Sequence, residues 1–189
     1  MEAFTGIMAV SLGIALSACC GFRVFLPLLI ASIAIKAGWL PVPQAETWMG
    51  SWAAILSFGT ASVLEIAAYY IPFIDNVLDT IATPLAIGAG SLLAAGFLPV
   101  ADWDPMLRWG LGILTGGAVA GTIQAGTSVL RLVSTKTTAG TGNALVATGE
   151  HLAAGLGSIM AVFLPILVAV LSLCLVVYLL YRLIVRTRR

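Results

Sequence analysis

The sequence predicts an all-α fold: a polytopic transmembrane helical bundle of about five spans, with broken or re-entrant helices and one short amphipathic helix. Three observations carry that reading. Of the 189 residues, 60% are hydrophobic and only 9% charged, where a soluble domain carries about a quarter charged, so most of this surface cannot face water. Several apolar runs reach the ~20 residues a helix needs to cross ~30 Å of hydrocarbon. Those runs are continuous rather than alternating with a period of two, which excludes a transmembrane barrel. No composition shift marks a boundary, so residues 1–189 read as one transmembrane domain with a basic tail over about 182–189.

The first apolar run, about 4–37, is too long for one untilted span and too short for two. Gly21, Arg23 and Pro27 fall near its middle. Proline lacks a backbone donor and crowds the carbonyl four residues back, here that of Arg23. A kinked or broken helix, or a re-entrant pair of half-helices, is therefore expected. LSAC at residues 16–19 resembles a lipoprotein cleavage box. Met1 to Ser17 holds no Lys or Arg, however, and the apolar run continues past the cysteine, so the segment is expected to be retained. Trp39, Pro41, Pro43 and Trp48 mark an interfacial loop, because Trp favours the headgroup level.

A second span over about 49–71 ends at Pro72. FIDNVLDTI follows at 73–81, with Ile74, Val77, Leu78 and Ile81 at helical spacing on one face and Asp75, Asn76, Asp79 and Thr80 on the other. This reads as a short amphipathic helix in the interface or lining a cavity. Thr83 is then placed to cap a new helix with Pro84 at its first position. That third segment, 84–98, is rich in small residues. Asp102, Trp103, Asp104 and Pro105 make a turn into a fourth segment over 106–133. STKTTAGTGN reads as a Thr- and Gly-dense loop, and a last segment from about Ala144 through Pro165 to 185 is too long for one straight span, so a break or strong tilt is expected there.

Arg182, Arg186, Arg188 and Arg189 cluster at the C-terminus, which the positive-inside rule places in the cytoplasm. With five crossings, Lys36 and Arg108 fall inside as well. Arg131 and Lys136 fall outside against the rule, which points to a re-entrant or cavity-lining position for them. Net charge is +1 and no basic block lies before the C-terminus, so nucleic acid has no support as a partner. Cys19, Cys20 and Cys174 sit in apolar segments with no metal-ligand or disulfide spacing, and read as small buried hydrophobes. No cofactor or metal site is expected.

Three stretches, ALSACCGFRVFLPLL, EIAAYYIPFIDNVLDTIATPLAIGAG and LRLVSTKTTAGTGN, together resemble the bacterial membrane family catalogued as domain of unknown function 4126. The resemblance covers nearly the whole chain. It implies a multi-span architecture in a bacterial cell (inner) membrane and lends no activity. The chain departs from the family pattern at Ala68, Tyr69 and Tyr70, where many members carry Ala-Asp-Lys, and at Ala82, Thr83 and Pro84, where Arg-Pro is common.

Function must come from the ionisable residues, since a charge at the bilayer centre costs at least ~2.5–3.5 kcal/mol and is usually paired or turned to water. Arg23, Glu65, Arg131 and Glu150 lie inside apolar segments or at their inner ends. The expected pairs are Arg23 with Glu65 and Arg131 with Glu150. Gly117, Gly121, Gln124, Ser128 and Arg131 form one stripe at spacings of three and four. Close helix packing explains its glycines but not Gln124 or Arg131. Asp75 and Asp79 form a candidate cation site with oxygen ligands, against the plainer reading of a solvated face. Lys136, Thr137 and Thr138 precede a helix start and form a candidate anion site, against that of a flexible turn. His151 beside Glu150 reads as an interfacial histidine or a proton-handling partner.

Two functions stay open. One is a small transporter or channel for a small solute or ion, its path lined by Arg23, Glu65, Gln124, Arg131 and Glu150. The other is a non-transporting scaffold that binds lipid or a partner protein. No nucleophile or metal constellation supports an enzyme. A faint similarity between the Arg23–Glu65 and Arg131–Glu150 regions suggests an inverted repeat, and homo-oligomerisation is expected from the glycine faces and the small number of helices.

Overall fold

The computed structural model describes residues 2–42, 44–71, 74–99 and 104–187. Those residues are all helix and connecting turns, with no strand among them. Four helical stretches are long and apolar enough to cross a bilayer: Val77–Phe97, Pro105–Thr138, Asn143–Phe163 and Pro165–Arg182. Gly6–Cys20, Phe25–Lys36 and Trp52–Ala68 are apolar but shorter. The chain is therefore a multi-pass helical membrane protein, with four full-length candidate spans and three shorter apolar helices among the described residues, which fits the expected helical bundle.

The first apolar run does break. Helix α1 (Glu2–Cys20) stops, and α2 (Phe25–Lys36) restarts after a tight turn at Gly21–Val24, in which the amides of Gly21 and Phe22 reach back to Ala18 and Cys19. Gly21 is there because α6 lies against it: a Cβ would fall 2.6 Å from the Ala120 carbonyl oxygen. Pro27 ends up in the first turn of α2, where its missing donor is one of the amides a helix start leaves unbonded anyway. Helix α1 is the buried centre of the bundle. Leu12, Ala15, Leu16, Ala18, Cys19 and Cys20 are buried, and the helix packs on α4, α7 and α8.

α2 ends in a Schellman motif. Gly38 adopts φ +75°, its amide bonds Ile35 at 3.0 Å and the Trp39 amide bonds Ala34 at 2.9 Å, which satisfies the last carbonyls. A 3-10 turn (Gln44–Gly50) leads to α3 (Trp52–Ala68), capped by the Ser51 hydroxyl, which accepts from the Ala54 amide at 3.1 Å.

Helix α4 (Ile74–Phe97) corrects two expectations. The amphipathic stretch is not separate: it runs without interruption through Pro84. Thr83 does not cap a helix start, since its hydroxyl donates to the Asp79 carbonyl one turn back at 3.3 Å. Proline is tolerated inside membrane helices because neighbouring groups re-satisfy the backbone. The facing of this stretch is also the reverse of a soluble helix. Val77 and Ile81 are exposed, at 61% and 50%, while Asp79 continues the buried face of Ala82, Ala86 and Leu93.

Asp104 accepts from the Met106 amide at 2.8 Å, and Pro105 opens α5 (Pro105–Gly112). A π-helical turn, Ile113–Gly117, joins it to α6 (Ala118–Thr138). The turn sits where α4 crosses: a Cβ on Gly90 would lie 2.7 Å from the Gly116 carbonyl oxygen, and Ser17 Oγ reaches the Gly90 carbonyl at 2.7 Å. Small residues let three backbones meet here, which accounts for Gly112, Gly116, Gly117 and Gly121. α6 runs through most of the expected Thr/Gly loop and ends at Ala139, φ +50°, and Gly140, φ +88°. α7 (Asn143–Phe163) and α8 (Pro165–Thr187) separate at Leu164, where the expected break occurs. Pro72, Phe73, Asp102 and Trp103 lie outside the described residues.

Candidate functional site

Three helices bring charge to the α1–α2 break. Arg23 is the residue of the break itself. Arg131 comes from α6, Glu150 from α7 and Asp79 from α4. Arg23 and Arg131 are each 1% exposed. Glu150 Oε2 is shared: Arg23 Nη2 lies 2.8 Å away and Arg131 Nη2 donates to the same oxygen, while Arg131 Nε reaches Oε1 at 3.4 Å. Arg131 Nη1 turns the other way, to Asp79 Oδ1 at 2.5 Å. Two arginines meet two carboxylates, so formal charge balances inside the apolar bundle. Burial of that kind is tolerated only when every charge is paired and hydrogen-bonded.

Tyr69, at the end of α3, completes the cluster. The Arg23 and Arg131 guanidinium carbons lie 3.7 and 4.2 Å from its ring centroid, an electrostatic attraction of up to ~2 kcal/mol each when desolvated. Its hydroxyl donates to Asp79 Oδ1 at 3.3 Å. Arg23 also donates to the Phe22 carbonyl at 2.9 Å. His151 Nδ1 contacts the Ala147 carbonyl and lies 3.5 Å from Arg23 Nη2, and Nε2 lies 3.4 Å from Arg23 Nε. The imidazole stacks on Tyr70, ring centroids 5.6 Å apart, and the Tyr70 hydroxyl meets Thr148 at 2.9 Å. The cluster thus grades from two fully buried guanidiniums through half-buried His151 to exposed Tyr70.

Glu65 does something else. The expected Arg23–Glu65 ion pair is not formed, whereas Arg131–Glu150 is. Glu65 Oε1 accepts from the Val24 amide at 2.8 Å and Oε2 from the Phe25 amide at 3.1 Å. No side chain of α2 caps its own start. The carboxylate of α3 therefore caps α2 from outside, satisfying two orphan donors at the positive end of the helix dipole. An interrupted helix buried in an apolar bundle needs such a partner, and Val24 cannot be one.

The other predicted residues fall as follows. Gln124 is 1% exposed, and its Nε2 has no hydrogen-bond partner among the described residues. Nor has Ser128 Oγ, one turn nearer Arg131. Asp79 belongs to the charge cluster, and the side chain of Asp75, the other residue of the candidate cation site, lies outside what is described. Lys136, Thr137 and Thr138 are exposed in the last turn of α6. The two hydroxyls donate to the Val133 and Ser134 carbonyls at 2.9 and 2.7 Å, and Thr138 Oγ1 accepts the Gly142 amide. The amides of that turn are thus taken locally, and these residues stand apart from the cluster. The positions matched as a repeat play unlike roles: Arg23 sits in a break and Arg131 in a continuous helix, Glu65 caps amides and Glu150 bridges arginines.

Sequence reasoning missed Tyr69, and read Asp79 and His151 apart from the arginines. For Asp79 the signal was present, since it precedes Ala82, Ala86, Ala89 and Leu93 on the small-residue face of α4. A second buried pair, Arg108 with Glu46, was also missed. It holds the 3-10 turn to the end of α4, where Arg108 Nε donates to the Ala95 carbonyl at 3.1 Å.

An apolar cavity of about 280 Å³ beside these groups lies between α3 and α4, lined by Ala61, Leu64, Ala68 and Leu85 together with Glu65 and Tyr69. Another of about 420 Å³ lies at the opposite end, against Trp39, Phe97 and Pro165. The charged groups themselves touch directly.

A family model described as a domain of unknown function, DUF4126, matches residues 10–186. No curated protein matches the chain, and no solved structure does.

Proposed function

The chain belongs to the DUF4126 family, and from that premise and the cluster geometry we propose that it is a small transporter or channel for a small solute or ion. One observation carries the reading: Arg131, Glu150 and Asp79 converge from three helices on Arg23, at the point where the first membrane helix is interrupted. Discontinuous helices with polar groups at the break are how secondary transporters build their binding sites. Charged groups this deep cost several kcal/mol to place and are rarely kept without use.

In this reading the conformation described is the closed one. The solute exchanges with the Glu150 carboxylate on the two guanidiniums, and opening begins where His151 and Tyr70 approach the surface. Glu65 is a positioning residue that holds the break in shape, and Gln124 and Ser128 extend the polar face of α6. The protein performs no covalent chemistry. We place it in the bacterial inner membrane with a cytoplasmic C-terminus, on the strength of Arg182, Arg186, Arg188 and Arg189. We further infer a homo-oligomer, because so few helices enclose little space alone.

The test is reconstitution of folded protein in liposomes with a screen of anion, cation and proton flux. Flux above protein-free vesicles supports the proposal, and none for any class counts against it. The scaffold reading is favoured by one observation, the mutual neutralisation of the four charges by direct contact. Under that reading Glu150 and Arg131 are cement, and their loss removes the fold along with everything else.

A further inference from the structure

We propose that the solute of this site is a small planar oxyanion of the carboxylate or nitrate type. The inference rests on the transport reading above and names what the site would take.

Glu150 shows the chemistry. Its carboxylate is gripped by Arg131 through Nε and Nη2, and one of its oxygens is shared with Arg23 Nη2. A guanidinium fork matches a planar, two-oxygen anion better than a sphere or a point charge. The side chain is tethered, so it is a resident stand-in for a group of its own shape.

The sign of the charge follows from what is left over. Among the described residues, Gln124 Nε2 and Ser128 Oγ are buried polar atoms without partners that lie two turns and one turn from Arg131 on the same face of α6, and Ser62 Oγ is another, one turn from Glu65 on α3. An amide NH₂ and a hydroxyl offer donors. Buried donors without acceptors are uncommon in native proteins, and each calls for an explanation. Most carboxylate oxygens nearby are engaged: Asp79 Oδ1 and both Glu150 oxygens hold Arg131, and both Glu65 oxygens face the amides of α2. An incoming cation would have to displace an arginine from these oxygens. An oxyanion finds two guanidiniums that already bind one carboxylate, then a hydroxyl and an amide one helical turn apart, which together make a short column of donors.

Thermal unfolding of the purified full-length protein tests this with formate as the probe. Glu150→Ala vacates the resident carboxylate. About 100 mM formate should raise its unfolding midpoint by the mass-action effect of a ligand that binds the folded state. Chloride at equal ionic strength should not match it, and wild type should respond weakly. Adding Gln124→Leu, which removes an orphan donor, should leave the fold intact while raising the half-saturating formate concentration about tenfold. An equal response of Glu150→Ala to formate and chloride overturns the proposal, as does a formate response untouched by Gln124→Leu.

Where Glu150→Ala yields no folded protein, radiolabelled formate uptake by proteoliposomes reads the same point: loss in Gln124→Leu supports it and unchanged uptake overturns it. Cation flux without formate binding leaves the transport reading standing and sinks this one. Formate binding without flux of any kind does the reverse.

Discussion

Removing the Glu65 carboxylate should unfasten the α1–α2 break. Glu65 accepts the Val24 and Phe25 amides at 2.8 and 3.1 Å, and Val24 is 3% exposed, so no water stands ready to replace it. Hydrogen bonds to a charged group are worth ~1.5–3 kcal/mol each, and an orphaned buried donor costs ~1–3 kcal/mol. Glu65→Ala should therefore destabilise by about 3–5 kcal/mol, and Glu65→Gln, which keeps one acceptor oxygen, by about half as much. Unfolding by denaturing detergent measures the free energies, and hydrogen exchange reads the amides of Val24 and Phe25 directly. Those two should exchange faster in Glu65→Ala while amides in the middle of α1 stay protected. A loss below ~1 kcal/mol with both amides still protected would refute the capping role.

In double-mutant cycles Arg23 and Glu150 should couple by more than ~1 kcal/mol and more strongly than Arg23 and Glu65, because only the first pair is in direct ion-pair contact. Arg131→Met should cost about 3–5 kcal/mol in the same unfolding assay, since it takes the arginine from Asp79 and leaves Glu150 with Arg23 alone. Tyr69→Phe keeps the ring under both guanidiniums and should lose only about 0.5–1.5 kcal/mol, that of its hydroxyl bond; Tyr69→Leu should lose more, up to ~2 kcal/mol per guanidinium. Gly90→Ala pushes a methyl against the Gly116 carbonyl and the Ala120 side chain, and overpacking of that kind should destabilise by about 1–3 kcal/mol.

What the sequence revealed depended on whether the signal was local. The interruption of the first helix was legible because Gly21, Arg23 and Pro27 stand together in an apolar run, and the α7–α8 break because Pro165 sits in one too long to be straight. The membrane class followed from composition alone. Pairing was harder. Glu65 looked like the partner of Arg23 by charge and order of segments, yet its oxygens went to backbone amides, a requirement that exists only once the break has formed. Asp79 was read as a candidate cation ligand or part of a solvated face because its stretch looked like a separate amphipathic helix, in the interface or lining a cavity. In lipid the stripe of Val77 and Ile81 looks outward and the acid inward. Tyr69 carries no charge, and as a departure from the family pattern it read as a missing acid rather than as a ring against two guanidiniums.

Flux through proteoliposomes carrying wild type or Glu150→Gln, both verified as folded, tests the central claim most directly. The account expects wild type to move solute above protein-free vesicles, and Glu150→Gln to be slower by at least about tenfold, a barrier change of ~1.4 kcal/mol. A folded Glu150→Gln that moves solute as fast as wild type, or a folded wild type that moves none, would contradict it.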